Sequence, residues 1–203
     1  FENRDAIQKI VRFYSTTGSD DLVSLDDYLG RMKKGQDAIY YISGEELDAV
    51  RRSPQLEGFA AKGIEVLLLT DAVDEFWIPA VGIYEGKPFK SATRAGADLD
   101  KIETNIEKGS AKDEDNSPEK GKVNALIAMF KLTLNDEVKD VRISERLTDS
   151  AVCLVSDEGD MDLRVERMLK KQNQLQQSFK RILEINPRHA LITALAQSVE
   201  KKE

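Results

Sequence analysis

The sequence predicts an α/β unit followed by an α+β unit: a small βαβ-type sheet subdomain, then a helical domain with a short antiparallel sheet. Three observations carry this reading. Two short, near-continuous apolar runs, AIYYIS (38–43) and EVLLLT (65–70), flank a helical stretch, the pattern of buried parallel strands joined by a crossover helix. Residues 98–122 then hold eight acidic and five Lys side chains with little apolar mass, a break between two structured halves. Beyond it lie a strong amphipathic helix and two strand-like runs, VKDVRIS (138–144) and AVCLVS (151–156), joined by ERLTDS. The domains are accordingly placed at 1–97 and 98–203.

Each element has a local reason. Ile7, Ile10, Val11 and Tyr14 share one helical face, and TTGSDD ends that helix. Ser24 followed by Asp27 is a helix-start signal, with Leu25, Tyr28, Leu29 and Met32 as the buried stripe and Gly35 as the stop. Ser43-Gly44 opens a helix through EELDAVRR, and Ser53-Pro54 restarts it through QLEGFAAKG. DAVDEFWIPAV (71–81) is a helix or irregular turn, and GKPFKSAT (86–93) is a last edge strand.

Leu99, Ile102 and Ile106 permit one short helix before KGSAKDEDNSPEKGK, a solvated loop. Val123, Leu126, Ile127, Phe130 and Leu134 line the next helix. The two following strands pair as an antiparallel hairpin. Met161, Val165, Met168 and Leu169 then recur at i, i+4, i+7 and i+8 on one helix face, ahead of the polar Lys170, Lys171, Gln172 and Asn173. Leu175, Phe179, Ile182 and Leu183 make a further helix, and Asn186-Pro187 starts the last one.

Composition narrows the function classes. The chain has 203 residues, 40% apolar and 33% charged, with a net charge of -7, which argues against a duplex-binding module. Cys153 and His189 are the only residues of their types, so a disulfide framework and a zinc site of the usual kind are out of reach. That usage fits a reducing, cytoplasmic setting. No run of 18 apolar residues predicts a membrane span, and no signal-peptide pattern opens the chain. Starting at Phe1 without Met, the chain reads as an excised piece of a longer one.

Candidate chemistry is sparse. Asp71, Asp74 and Glu75 follow a buried strand, where α/β enzymes place metal ligands, but acids there equally favour a helix start with Asp71 as N-cap, the preferred reading. Cys153 with His189 is a conceivable nucleophile–base pair, although a Cys inside an apolar strand reads first as structural. No G-x-S-x-G, G-x-x-x-x-G-K or G-x-G-x-x-G is present. Phe76 and Trp77 are sequence neighbours, so both cannot face one core; Trp77 packs in a domain interface or forms part of a sticky surface. The Met161/Val165/Met168/Leu169 stripe is either core or an adaptable apolar binding face, the role that flexible Met side chains suit.

Three runs together resemble one family. DDLVSLDDYLGRMKKGQDAIYYISGE (20–45) is similar to the late middle-domain signature of the heat-shock protein 90 chaperones, ERLTDSAVCLV (145–155) to their C-terminal domain signature, and ILEINPRHALI (182–192) to their EINP-x-H helix start. The order and approximate spacing match, and the resemblance covers essentially the whole chain. The short acidic linker looks more like the bacterial form.

This resemblance implies the C-terminal α/β part of a middle domain (1–97) and a C-terminal dimerisation domain lacking its last helices (98–203). It implies a binding function for non-native client proteins, with no catalytic residue and no cofactor in this chain. ATP and Mg would belong to an N-terminal domain of the full-length protein, a cytoplasmic homodimer. Phe76, Trp77, Met161, Val165, Met168 and Leu169 become the expected client-binding residues. A purely structural linker or dimerisation scaffold is the alternative, followed by a metal-dependent α/β enzyme using Asp71, Asp74 and Glu75. Nucleic acid and membrane are not expected partners.

Overall fold

A computed structural model describes residues 3–18, 21–71, 73–94, 99, 102, 118–157, 160, 166, 169–170, 174 and 179–199. The first unit contains α1 (Arg4–Ile10), β1 (Tyr14–Ser15), α2 (Leu25–Arg31), β2 (Ile39–Ser43), α3 (Leu47–Arg51), a 3-10 turn (Pro54–Leu56), α4 (Glu57–Ala61), β3 (Leu67–Leu69), α5 (Asp74–Val81), β4 (Ile83–Tyr84) and β5 (Lys87–Ser91). The strand order is β1-β3-β2-β5-β4. The central β2 pairs in parallel with both β3 and β5, and the outer pairs β1–β3 and β4–β5 are antiparallel.

Side-chain alternation gives this sheet two buried faces. Tyr40, Ile42, Val66 and Leu68 pack against Val50, Leu56 and Phe59 on one side. Ile39, Leu67 and Leu69 pack against Leu25, Tyr28 and Ile78 on the other. Buried on both faces, β2 and β3 have no use for polar alternation, which explains their continuous apolar sequences. Ser24 caps α2 in a reciprocal capping box with Asp27. The Tyr28 hydroxyl donates to the Glu65 carbonyl (2.9 Å) and accepts from Tyr40 N–H (2.9 Å) and Gln36 Nε2 (3.0 Å), locking α2 to the sheet.

Several local expectations need correction. The apolar face of α1 is not its buried face: Gln8 is buried, its Nε2 donating to the Ile83 carbonyl (3.0 Å), while Ile10 is 73% exposed. Tyr14 lies in β1, outside the helix. Gly35 does not end α2; the helix stops at Arg31, and Gly35 (φ 84°) closes the turn in which Gln36 N–H donates to the Lys33 carbonyl. β5 is not an edge strand. The edge is β4, joined to it by a two-residue turn, Glu85-Gly86, with φ of 45° and 75°. Positive φ at both central residues matches the twist of the flanking strands.

The second unit contains α6 (Pro118–Thr133), β6 (Val138–Ile143), β7 (Val152–Val155), β8 (Arg181–Ile185) and α7 (Ala190–Val199). The hairpin expected between β6 and β7 does not form. β8 lies between them, parallel to β6 and antiparallel to β7, so the sheet is mixed. Ile182 and Leu183, read from sequence as helical, are its centre. Helix α6 also begins earlier than its apolar stripe, at Pro118. With α7 it covers one face of the sheet through Val123, Leu126, Val141, Ile185 and Ile192. α7 starts at Ala190, and Asn186 is not its cap: Thr193 N–H donates to the His189 carbonyl (3.0 Å), and Leu191 N–H to His189 Nδ1 (3.1 Å), so His189 caps the helix.

The two units are tied at one seam. Arg146 donates to the carbonyls of Ala92 (3.0 Å) and Arg94 (3.0 Å), and Ser156 N–H donates to the Thr93 carbonyl (2.9 Å). The Glu57 carboxylate accepts from the backbone N–H groups of Thr148, Asp149 and Ser150. A Cβ on Gly58 would lie 2.7 Å from Arg146 Cβ, so glycine is what permits this approach. The expected boundary at residue 97 lies outside the described residues; Leu99 and Ile102, just after it, are buried in the first core.

Candidate functional site

The aromatic pair sits on α5. Trp77 turns inward, its ring 5.6 Å from Phe13 and 6.0 Å from Phe89, within the core of the first unit and not in a domain interface. Phe76 is 64% exposed. This division follows from the helical step of about 100° between neighbours. Pro79 lies inside α5 without ending it, and Gly82 (φ 69°) closes the helix by donating to the Ile78 carbonyl (2.9 Å).

Exposed apolar side chains gather on the elements around α5. Val73 precedes the helix and Ile83 follows it, both more than half exposed. Helix α1, carrying the exposed Ile7 and Ile10, is tied to the same corner, where Arg4 donates to the Val81 carbonyl and Gln8 to the Ile83 carbonyl. Sequence reasoning missed Ile10 as a surface residue because it placed it on the apolar face of a helix, and it assigned Ile83, which lies in β4, to no element.

Of the proposed methionine face, Met161, Val165 and Met168 lie outside the described residues. Leu169 is helical and half-buried. Glu166, a residue the sequence reading passed over, is buried. Its buried carboxylate pairs with Arg181, and it accepts from Phe179 N–H (3.2 Å) and from Lys170 Nζ (3.2 Å). The only sequence hint is the Glu166–Lys170 spacing of four.

The other candidates are held in structural roles. Asp71 is not an N-cap: α5 starts at Asp74, whose Oδ2 accepts the Asp71 N–H (3.2 Å) across the turn. The side chain of Glu75 is outside the described set. No group of three or more His, Cys, Asp or Glu side chains among the described residues is arranged to hold a metal ion. Burial raises the Cys153 thiol to about 11, which leaves little thiolate at neutral pH, and Sγ contacts the Leu154 carbonyl at 3.6 Å. No helix among the described residues is long and apolar enough to cross a membrane.

One open cleft of about 720 Å³ lies where the units meet, lined by the end of β2, α3, the 3-10 turn and β7. Among the described residues, Glu45 and Glu46 are the only charged side chains in its lining.

The family model for Hsp90 proteins matches residues 1–203. The chain belongs to the Hsp90 family. Relatives include the Chaperone protein HtpG of Roseobacter denitrificans, 55% identical over 96% of this chain and 31% of that protein. The Chaperone protein HtpG of Paramagnetospirillum magneticum is 54% identical over 98% of this chain and 32% of that protein. That of Gluconobacter oxydans is 48% identical over 100% of this chain and 31% of that protein. The chain thus spans about a third of the length of the curated relatives it matches. Within this Hsp90-family chain, an open cleft lies at the seam between the units, and exposed apolar side chains gather around α5.

Proposed function

We propose that this chain is part of a bacterial Hsp90-family chaperone and binds non-native polypeptide through apolar surface. It comprises the end of a middle domain and most of a C-terminal domain of a cytoplasmic, ATP-driven homodimer. It makes and breaks no bonds itself. ATP and Mg belong to other parts of the full-length protein, and no step through them is derived from these residues. The names of the relatives, all chaperone proteins, support the reading.

The observation that carries it is Phe76, exposed on a short helix whose next residue, Trp77, is anchored in the core. A large aromatic held rigidly in water costs little ordering entropy when it binds, as interface anchors require. Leu169 would supply a further, separate apolar contact in the second unit, each contact weak and several acting together.

The test is aggregation of a chemically denatured protein diluted into buffer with the chain. The chain is expected to suppress light scattering, and Phe76→Ser to weaken that suppression several-fold while leaving thermal unfolding unchanged. Equal suppression by both would remove Phe76 from the surface. No suppression by either would favour the scaffold reading, in which the seam built on Glu57 and Arg146 only fixes the two units.

A further inference from the structure

The cleft at the seam is bounded by the outer edge of β7. Antiparallel pairing with β8 uses alternate residues of β7. Asn186 N–H donates to the Ala151 carbonyl (2.8 Å), and the register continues through Cys153↔Glu184 and Val155↔Ile182. The backbone groups of Val152, Leu154 and Ser156 therefore point away from the sheet. Two of them are taken: Gln55 Nε2 donates to the Leu154 carbonyl (2.8 Å), and Ser156 N–H donates to the Thr93 carbonyl. The Val152 N–H and C=O and the Leu154 N–H have no hydrogen-bond partner among the described residues, and both residues line the cleft.

The side chains around this edge are also uncovered. Val152 and Leu154, each over 40% exposed, share a sheet face with Leu183, Ile185 and Ile143, and α6 and α7 cover only its β6–β8 part. Across the cleft stand Ile42, Ala49 and Val50, with Glu45 and Glu46.

We infer that an extended apolar peptide with a cationic flank binds here by adding a strand to the outer edge of β7. Three backbone hydrogen bonds meet the open groups of Val152 and Leu154. Alternate side chains continue the Val152–Leu154 face, and the others face the opposite way, as Cys153 and Val155 do. The commitment to a basic flank follows from charge: among the described residues, the lining carries two acidic side chains, Glu45 and Glu46, and no Lys or Arg. Gln55 and Thr93 close the edge at its C-terminal end, which fixes where the added strand stops. The inference rests on the polypeptide-binding reading above and names the form of polypeptide that one site takes.

The probe is a fluorescein-labelled heptapeptide, Lys-Val-Thr-Val-Thr-Val-Lys, titrated against the 203-residue chain by anisotropy and by amide NMR. The expected result is saturable binding with the amide signals of Val152 and Leu154 shifting. N-methylation of alternate peptide amides in one of the two frames should weaken binding about tenfold, and in the other frame little, since only one set faces β7. Val152→Pro, which removes an outward N–H at a position where an edge strand tolerates proline, should weaken binding similarly. Glu45→Gln with Glu46→Gln should reduce its salt dependence.

Equal effects of N-methylation in both frames, unmoved Val152 and Leu154 amides, or no binding at millimolar peptide would each overturn strand addition. Should the heptapeptide fail while unfolded protein is still held soluble, strand addition falls and the chaperone reading stands. Failure of both removes both.

Discussion

Glu184 shows how much of this molecule depends on single buried charges. It lies in β8, 2% exposed, and accepts from Arg142 Nη2 (2.6 Å), Arg146 Nε (3.1 Å) and Ser144 Oγ (3.0 Å). Arg146 is as deeply buried and spends its remaining donors on Ala92 and Arg94. Removing one partner of such a pair leaves an uncompensated buried charge, which costs about 3–5 kcal/mol. Glu184→Leu is expected to lose about that much in urea unfolding of the second unit. A loss below about 1 kcal/mol would show that Arg146 finds another acceptor or water. Residues of this kind were hidden in the sequence. Charged side chains on a plausible helix read as its solvated face, and only non-local strand pairing reveals them as core.

At the scale of elements, what was legible depended on how local the determining forces are. Ser24 and Asp27 are three residues apart, and the capping box they form is settled within one helical turn. β2 and β3 announce themselves because a strand buried on both faces must be apolar throughout. β8 failed for the opposite reason. Phe179, Ile182 and Leu183 satisfy a helical spacing, while Arg181 and Glu184 mask the apolar run, and the strand exists because β6 and β7 offer it two ladders.

The seam makes its own prediction. Burial alone would raise the Glu57 carboxyl, but donation by Ser150 Oγ and by the N–H groups of Asp149, Thr148 and Ser150 outweighs it, and the group titrates below its ordinary value. A depressed folded value stabilises above the unfolded value of 4.5 and is lost as pH falls through the folded one. Glu57→Gln should therefore lower the melting temperature at pH 7, and the gap from wild type should close only below about pH 4.5. A gap independent of pH would assign Glu57 a packing role alone.

The whole molecule is two sheets with separate cores, joined by a short set of charge-assisted hydrogen bonds and bordered by an open cleft. Its candidate site was legible in part. Adjacent Phe76 and Trp77 required that one face outward, yet which one depends on Phe13 and Phe89, which are distant in sequence. The exposed Ile10 was not legible, because periodicity states that a helix has an apolar face and not whether anything covers it. The cleft was invisible, since it arises from residues of both units. At this scale the central claim is that polypeptide is bound at the α5 surface, with rigidity supplied by Trp77 and contact by Phe76.

Trp77 is the sole tryptophan and packs beneath α5 on Phe13 and Phe89, so its fluorescence reports the packing of that helix. The most direct measurement is its emission during titration with a permanently unfolded, tryptophan-free polypeptide, for the wild type and for Phe76→Ser. The account predicts a saturable spectral change that Phe76→Ser shifts to several-fold higher polypeptide concentration. Binding detected by sedimentation to the same extent with wild type and Phe76→Ser would contradict it and move the contact surface away from α5.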